Sequence, residues 1–214
     1  ELILDASNSM WGQLKGQAKI AIAKDVMTRI IQHLPDSAQV ALRIYGHQRP
    51  VHHPSACQDS ELVFPFAKID KPRLLTAVST IKPRGMTPIA YSLQQVASDF
   101  RDAPGAKIVV LLTDGMEECG GSPSAAVAEL QAKGLQVKIH VVGFALADQA
   151  TKAEMAHLAE LTGGLFFDAQ DVEQLRKALE QALTVPYEVL DASGKTVGGS
   201  TLGREHARQG GGDR

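Results

Sequence analysis

Apolar residues fall along this chain in two alternating rhythms. Short unbroken runs, such as Leu2-Ile3-Leu4 and Ile108-Val109-Val110-Leu111-Leu112, alternate with stretches where apolar residues recur every three or four positions. The runs read as buried strands and the periodic stretches as helices that pack by one face. The clearest helix covers 18–34, with Ile22, Val26, Ile30 and Leu34 on one stripe and Ala23, Met27 and Ile31 beside it, closed by Pro35. Further helices are predicted over 71–81, 88–100, 122–134, 151–161 and 172–183. Thr87 is expected to cap the helix opening with Pro88, and Asp171 with Gln174 resembles a capping box. Val172, Leu175, Leu179 and Leu183 would face inward. Strands are predicted over 2–5, 40–45, 61–66, 107–112, 136–142 and 165–167. An all-aliphatic strand such as 107–112 belongs in the middle of a parallel sheet covered on both faces.

This alternation predicts an α/β fold: an open, mostly parallel sheet with helices on both faces, over residues 1–184. The segment from Pro186 differs. Tyr187-Glu-Val-Leu and Lys195-Thr-Val flank the turn-forming Asp191-Ala-Ser-Gly194, predicting a small β-hairpin within 185–203. Such a hairpin is too small to stand alone and is expected to open a β-rich module. The Gly-rich tail, 204–214, is expected to be disordered.

A length of 214 residues suits one well-cored domain and a small extra. The net charge of −2 gives no basic surface for nucleic acid. No apolar run is long enough to span a bilayer. The chain opens on Glu1, inside an apparent strand, so the expectation is that the native N-terminus and further domains lie outside this sequence.

The chemistry-bearing residues gather at strand ends. Asp5-Ala6-Ser7-Asn8-Ser9 follows the first strand and aims one carboxylate and two hydroxyls at a common space. Such hard oxygen ligands suit Mg²⁺, Ca²⁺ or Mn²⁺, although Asp/Ser strings also build ordinary turns. Thr113-Asp114-Gly115 ends the central strand, and Gly85-Met86-Thr87-Pro88 precedes a helix. Sheets of this class bind ligands at the carboxyl ends of their strands, near the point where strand order reverses. Independent turn residues have no reason to converge there as Asp, Ser, Ser, Thr and Asp.

These three segments, in this order, resemble the metal-ion-dependent adhesion site (MIDAS) of von Willebrand factor type A (vWA) domains, and look most like exported bacterial members. The resemblance covers roughly residues 1–184 and implies a sheet with one antiparallel strand near its edge. It implies that Ser7 and Ser9 ligate Mg²⁺ (or Ca²⁺ or Mn²⁺) through their hydroxyls, with Thr87 direct or through water. Asp5 and Asp114 would act largely through bridging waters. One position would stay open for an Asp or Glu carboxylate of a protein or peptide partner. Asn8 replaces a glycine common in the family and is expected to tolerate the left-handed backbone that glycine allows there. Met86 replaces a commonly small residue, which bears on partner fit.

Cys57 and Cys119 are the two cysteines. Their loops should emerge at the metal-bearing end, about two strand spacings or roughly 10 Å apart. A disulfide is feasible, and resembles an arrangement in exported members of the family, which points to the periplasm or cell surface. Free thiols are the alternative. A reduced Cys57 with His47, His52 and His53 would be a zinc site of no standard spacing. Glu117 and Glu118 read either as a solvated acidic loop or as shapers of partner choice, and Trp11 either as core or as an exposed anchor.

The reading is a non-catalytic, cation-dependent binding module. A metal-assisted, phosphoesterase-like hydrolase is the alternative, as is a structural domain with an unused site. Against the enzyme, no His or Lys is expected beside the cation as base or proton donor. No Gly-rich phosphate loop and no Gly-x-Ser-x-Gly elbow is present.

Overall fold

The computed structural model describes residues 1–101, 103, 105–184, 187–190 and 196–200. The chain runs β1 (Leu2–Asp5), a 3-10 turn (Asn8–Trp11), β2 (Gln13–Leu14), β3 (Gln17–Ala18), α1 (Lys19–His33), β4 (Gln39–Tyr45) and β5 (Ser60–Lys68). It continues with α2 (Lys71–Thr80), α3 (Ile89–Asp99), β6 (Lys107–Thr113), α4 (Pro123–Ala132) and β7 (Val137–Phe144). α5 (Gln149–Glu160), β8 (Phe166–Ala169), α6 (Val172–Thr184), β9 (Tyr187–Leu190) and β10 (Thr196–Ser200) follow.

Six strands form one sheet in the order β5-β4-β1-β6-β7-β8. All neighbours are parallel except β4 and β5, so the antiparallel strand lies at the edge. After β1 the chain moves outward to β4 and β5, then returns to add β6 on the other side of β1. That reversal opens a crevice at the carboxyl ends of β1 and β6. Leu2 pairs with Val110 and Leu4 with Leu112, so Asp5 and Asp114 emerge together at that crevice.

Side-chain alternation divides the core between the two faces. Leu2, Leu4, Val110 and Leu112 pack with the buried stripe of α1 and with α6. Ile3, Val109, Leu111 and Tyr45 pack with α3, α4 and α5. The predicted inward stripe of α1 is fully realised, from Ile22 to Leu34. In α6, Leu175 and Leu179 are buried, but Val172 is 46% exposed, because it stands at the first turn of the helix. Asp171 caps that helix by accepting from Gln174 N–H (2.9 Å), while the Gln174 amide oxygen accepts from Gln170 N–H (2.8 Å).

Two local elements escape the periodicity. β2 and β3 form a two-residue antiparallel hairpin. Its turn, Lys15-Gly16, has φ of 51° and 84° at the two positions, the left-handed pair that a tight hairpin requires. β9 and β10 pair antiparallel, as expected of the C-terminal hairpin. Its turn and the 204–214 tail lie outside the described residues.

Candidate metal site

Asp5 is the buried centre of the site. It is fully enclosed, yet its carboxylate is held by four donors. Oδ1 accepts from Ser7 N–H (2.7 Å). Oδ2 accepts from the Tyr45 hydroxyl (2.9 Å), the Thr113 hydroxyl (2.9 Å) and Asp114 N–H (3.3 Å). Burial, with the Asp114 charge adding to it, pushes the Asp5 carboxyl up to about 6, against the Ser7 and Tyr45 hydrogen bonds that hold it down. Burial and the neighbouring Asp5 also raise the Tyr45 phenol well above its ordinary value. Two carboxylates thus share a desolvated corner that needs positive charge.

A chain of short contacts leads outward from this centre. Ser7 Oγ and Ser9 Oγ lie 2.9 Å apart, and the Ser9 hydroxyl donates to Asp114 Oδ1 at 2.5 Å. Ser7 and Asp114 are buried, whereas Ser9 is exposed at the mouth. Ser7, Ser9 and Asp114 therefore meet at the carboxyl ends of β1 and β6. Asn8 needs no left-handed backbone: among the described residues the non-glycine positions with positive φ are Lys15 and Ala145. Asn8 instead opens the 3-10 turn, so an ordinary L-residue serves there.

The Thr87 segment reaches the site by backbone docking. Arg84 N–H donates to Ala6 O (3.2 Å), Gly85 N–H to Gly46 O (2.9 Å) and Asn8 N–H to Gly85 O (2.9 Å). Two glycines permit the approach. A Cβ on Gly85 would lie 2.4 Å from Arg49 O. One on Gly46, whose φ is +71°, would lie 2.6 Å from Met86 O and 2.9 Å from Ser7 N. Thr87 is buried, but it is not the helix cap expected of it: α3 begins at Ile89 after Pro88, with no side-chain cap. The Thr87 hydroxyl donates to Glu118 Oε2 instead (2.9 Å), and Glu118 N–H donates to Thr87 O (3.2 Å).

The two acidic residues after Asp114 have separate positions. Glu117 turns to the start of α3, where Oε2 accepts from Ala90 N–H (2.7 Å) and Oε1 from Cys119 N–H (2.8 Å). A carboxylate at a helix N-terminus meets unpaired N–H groups and the favourable end of the helix dipole. Glu117 is therefore a tie between loops, while Glu118 is exposed beside Thr87. Met86 is half-buried. Trp11 is 50% exposed, with its indole N–H donating to Pro83 O (2.9 Å); Met10 fills the core instead.

Cys57 and Cys119 form a disulfide across 62 positions, with Cα atoms 5.4 Å apart. The zinc alternative is thereby set aside, since the Cys57 sulfur is already bound. His47 meets Glu61 (3.1 Å) and His53 Nδ1 accepts from Ser55 N–H (3.0 Å). Among the described residues no group of three or more His, Cys, Asp or Glu is placed to hold a metal. The converging donors are mainly hydroxyls, and that set fits a hard cation that keeps part of its water.

The sequence pattern missed the Tyr45 hydroxyl on Asp5 and also Lys19, which corrects one expectation. Lys19, at the start of α1, places Nζ 3.0 Å from Asp114 Oδ2. A lysine does lie beside the site. Its position depends on the β2–β3 hairpin, which folds the intervening residues away and returns Lys19 N–H to Gly12 O (2.9 Å). The unrecognised Lys15-Gly16 turn was the signal.

Fold and site together define a Rossmann-like α/β domain with a hydroxyl-and-carboxylate centre at its strand-order reversal. A sequence profile described as the von Willebrand factor type A domain matches residues 2–181, and the chain belongs to that family. Two Bacillus subtilis (strain 168) relatives, the uncharacterized proteins YwmC and YwmD, are 33% and 30% identical. Each alignment covers 84% of this chain, and 80% and 82% of the respective relative. Among solved structures, a von Willebrand factor type A protein from Catenulispora acidiphila superposes with a TM-score of 0.66 at 20% identity, covering 88% of this chain and 45% of that one. Proximal thread matrix protein 1 from the mussel byssus, with a zinc-occupied MIDAS, gives 0.64 at 21% identity over 85% of this chain and 43% of its own. The vWF domain of the type V pilus tip protein Mfa5 from Porphyromonas gingivalis gives 0.63 at 15% identity over 84% and 91%. The chain thus spans under half the length of the first two structures, and all three similarities concern the fold.

Proposed function

We propose that this domain is a non-catalytic module that holds an acidic group of a protein or peptide partner through a divalent cation. Members of this family are mostly metal-dependent binding or adhesion modules. The observation that carries the reading is the continuous Ser7–Ser9–Asp114 contact chain above buried Asp5. Ser7, Ser9 and Thr87 would offer hydroxyl oxygens to Mg²⁺, or to Ca²⁺ or Mn²⁺. Asp5 and Asp114 would supply the negative charge, with Tyr45 and Thr113 fixing the Asp5 carboxylate in place. The cation would supply an electrophilic position for the partner's carboxylate. Trp11, Met86 and Glu118 lie in the segments around it and would shape which acidic partner fits.

The disulfide and the likeness to a pilus tip domain support a periplasmic or cell-surface setting. No described helix is long and apolar enough to cross a membrane. The lysine beside the site, Lys19, is a donor already paired with a carboxylate, which does not favour the phosphoesterase alternative.

Calorimetric titration with Mg²⁺, Mn²⁺ and Ca²⁺ tests the proposal. Saturable binding by the native protein that is lost in Ser7→Ala/Ser9→Ala is expected. Identical flat traces from both would end the metal reading, and phosphoester turnover abolished by Asp114→Ala would replace it with the enzymatic one.

A further inference from the structure

We infer that Lys19 is a resident counter-ion of this site, one that an entering divalent cation must displace and that therefore sets how tightly the cation is held. The inference rests on the proposed cation site. Lys19 is not a loose surface lysine. Its N–H is fixed on Gly12 O (2.9 Å), and its stem crosses Gly12, where an added Cβ would meet Lys19 Cε at 3.6 Å. Its ammonium ends 3.0 Å from Asp114 Oδ2, with the Lys19 side chain 17% exposed and that of Asp114 fully enclosed.

The two oxygens of Asp114 are thus occupied differently. Oδ1 accepts the Ser9 hydroxyl proton, and Oδ2 faces the ammonium. The first contact is compatible with a cation, because a ligating hydroxyl binds metal through a lone pair and still donates its proton. The second opposes one, because a fixed ammonium neutralises one of the two carboxylates that would balance the cation and repels the cation itself. A four-carbon stem lets the ammonium swing out to water once the cation takes over its partner. The same contact places a positive charge on one of the two enclosed carboxylates.

Two measurements test this. Lys19→Met keeps the stem and removes the charge, so it is expected to bind Mn²⁺ and Mg²⁺ about tenfold more tightly than the native protein by calorimetry. Lys19→Arg retains the charge and is expected to remain weak. In the native protein, reductive methylation followed by mass spectrometry should modify Lys19 slowly without metal and faster at saturating Mg²⁺. That acceleration should be absent in Ser7→Ala/Ser9→Ala. Equal or weaker binding by Lys19→Met, with the native protein still binding, would overturn the counter-ion role alone. So would a methylation rate that Mg²⁺ leaves unchanged while calorimetry records binding. Absence of binding in both the native protein and Lys19→Met would instead remove the cation site and this inference with it.

Discussion

Ser9 donates its hydroxyl proton to Asp114 at 2.5 Å, joining two residues 105 positions apart. The bond bridges the carboxyl ends of β1 and β6, the strands between which the sheet reverses its order. A hydrogen bond to a charged group contributes about 1.5–3 kcal/mol. A double-mutant cycle of Ser9→Ala and Asp114→Ala, read by urea unfolding without metal, should return a coupling energy of that order. A coupling near zero would mean that the two segments meet without holding each other.

The disulfide joins the loop after β4 to the loop after β6. Closing 62 positions stabilises the fold by about 4 kcal/mol in the chain-entropy model. Reduction, or Cys57→Ser/Cys119→Ser, should lower the unfolding free energy by that order in chemical denaturation. The cation affinity should fall as well, because Cys119 follows the two residues that touch Thr87 and α3.

Gly85 leaves no room for a side chain, with Arg49 O 2.4 Å from where a Cβ would stand. Gly85→Ala should push the Thr87 segment away from Ser7 and cost about 1–3 kcal/mol of stability. It should also weaken cation binding while leaving far-UV circular dichroism unchanged. Unchanged affinity would show that the site does not need the Thr87 segment.

Arg43 and Asp99 form an enclosed pair between β4 and the end of α3, with contacts of 2.7–2.8 Å and side chains only 5% and 4% exposed. Asp99→Ala removes the bidentate partner and leaves the buried guanidinium with Glu1 Oε1 at 3.4 Å and the Ser60 hydroxyl at 3.1 Å, and should cost about 3 kcal/mol. Arg43→Met/Asp99→Leu should recover only part of that loss in thermal unfolding, because it also removes the cation beside the buried Glu1 carboxyl.

His140 is buried in β7, where Nδ1 accepts from Leu165 N–H (3.1 Å). Burial, helped by the Lys138 charge, lowers its pKa to about 4 from the usual 6.5. The folded protein keeps this ring neutral over a range in which the unfolded chain takes up a proton. Its contribution is complete above pH 6.5 and is lost as pH falls towards 4, by about 3 kcal/mol in all. His140→Asn, which preserves the acceptor, should flatten the stability profile across that window. An acid sensitivity equal to that of the native protein would assign the effect to other groups.

Much of this was legible in the sequence because it depends on local pattern. An aliphatic run such as 108–112 can be satisfied only inside a sheet, and the stripe of α1 only against one. Strand ends then place Asp5 and Asp114 at one edge by topology alone. The first helical turns were less legible. Thr87 before Pro88 has the composition of a cap, but its hydroxyl is taken by Glu118 from a loop 31 positions away. Val172 continues the apolar spacing of its helix yet is half exposed, since periodicity marks a face and not how far the core extends along it.

By itself the sequence determined the α/β alternation, the boundaries of most elements and which oxygen-bearing side chains stand at the strand ends, because each follows from side-chain chemistry at short range. The tertiary structure alone decided who faces whom. It turned Glu117 to the start of α3 and Glu118 to Thr87, closed Cys57 on Cys119, and laid Lys19 across Gly12 onto Asp114. Those outcomes depend on a left-handed turn at Lys15-Gly16 and on close backbone approaches at Gly46 and Gly85. The approaches at the two glycines are contacts between distant segments. A periodic pattern carries no information about such contacts, because they exist only once the chain has closed on itself.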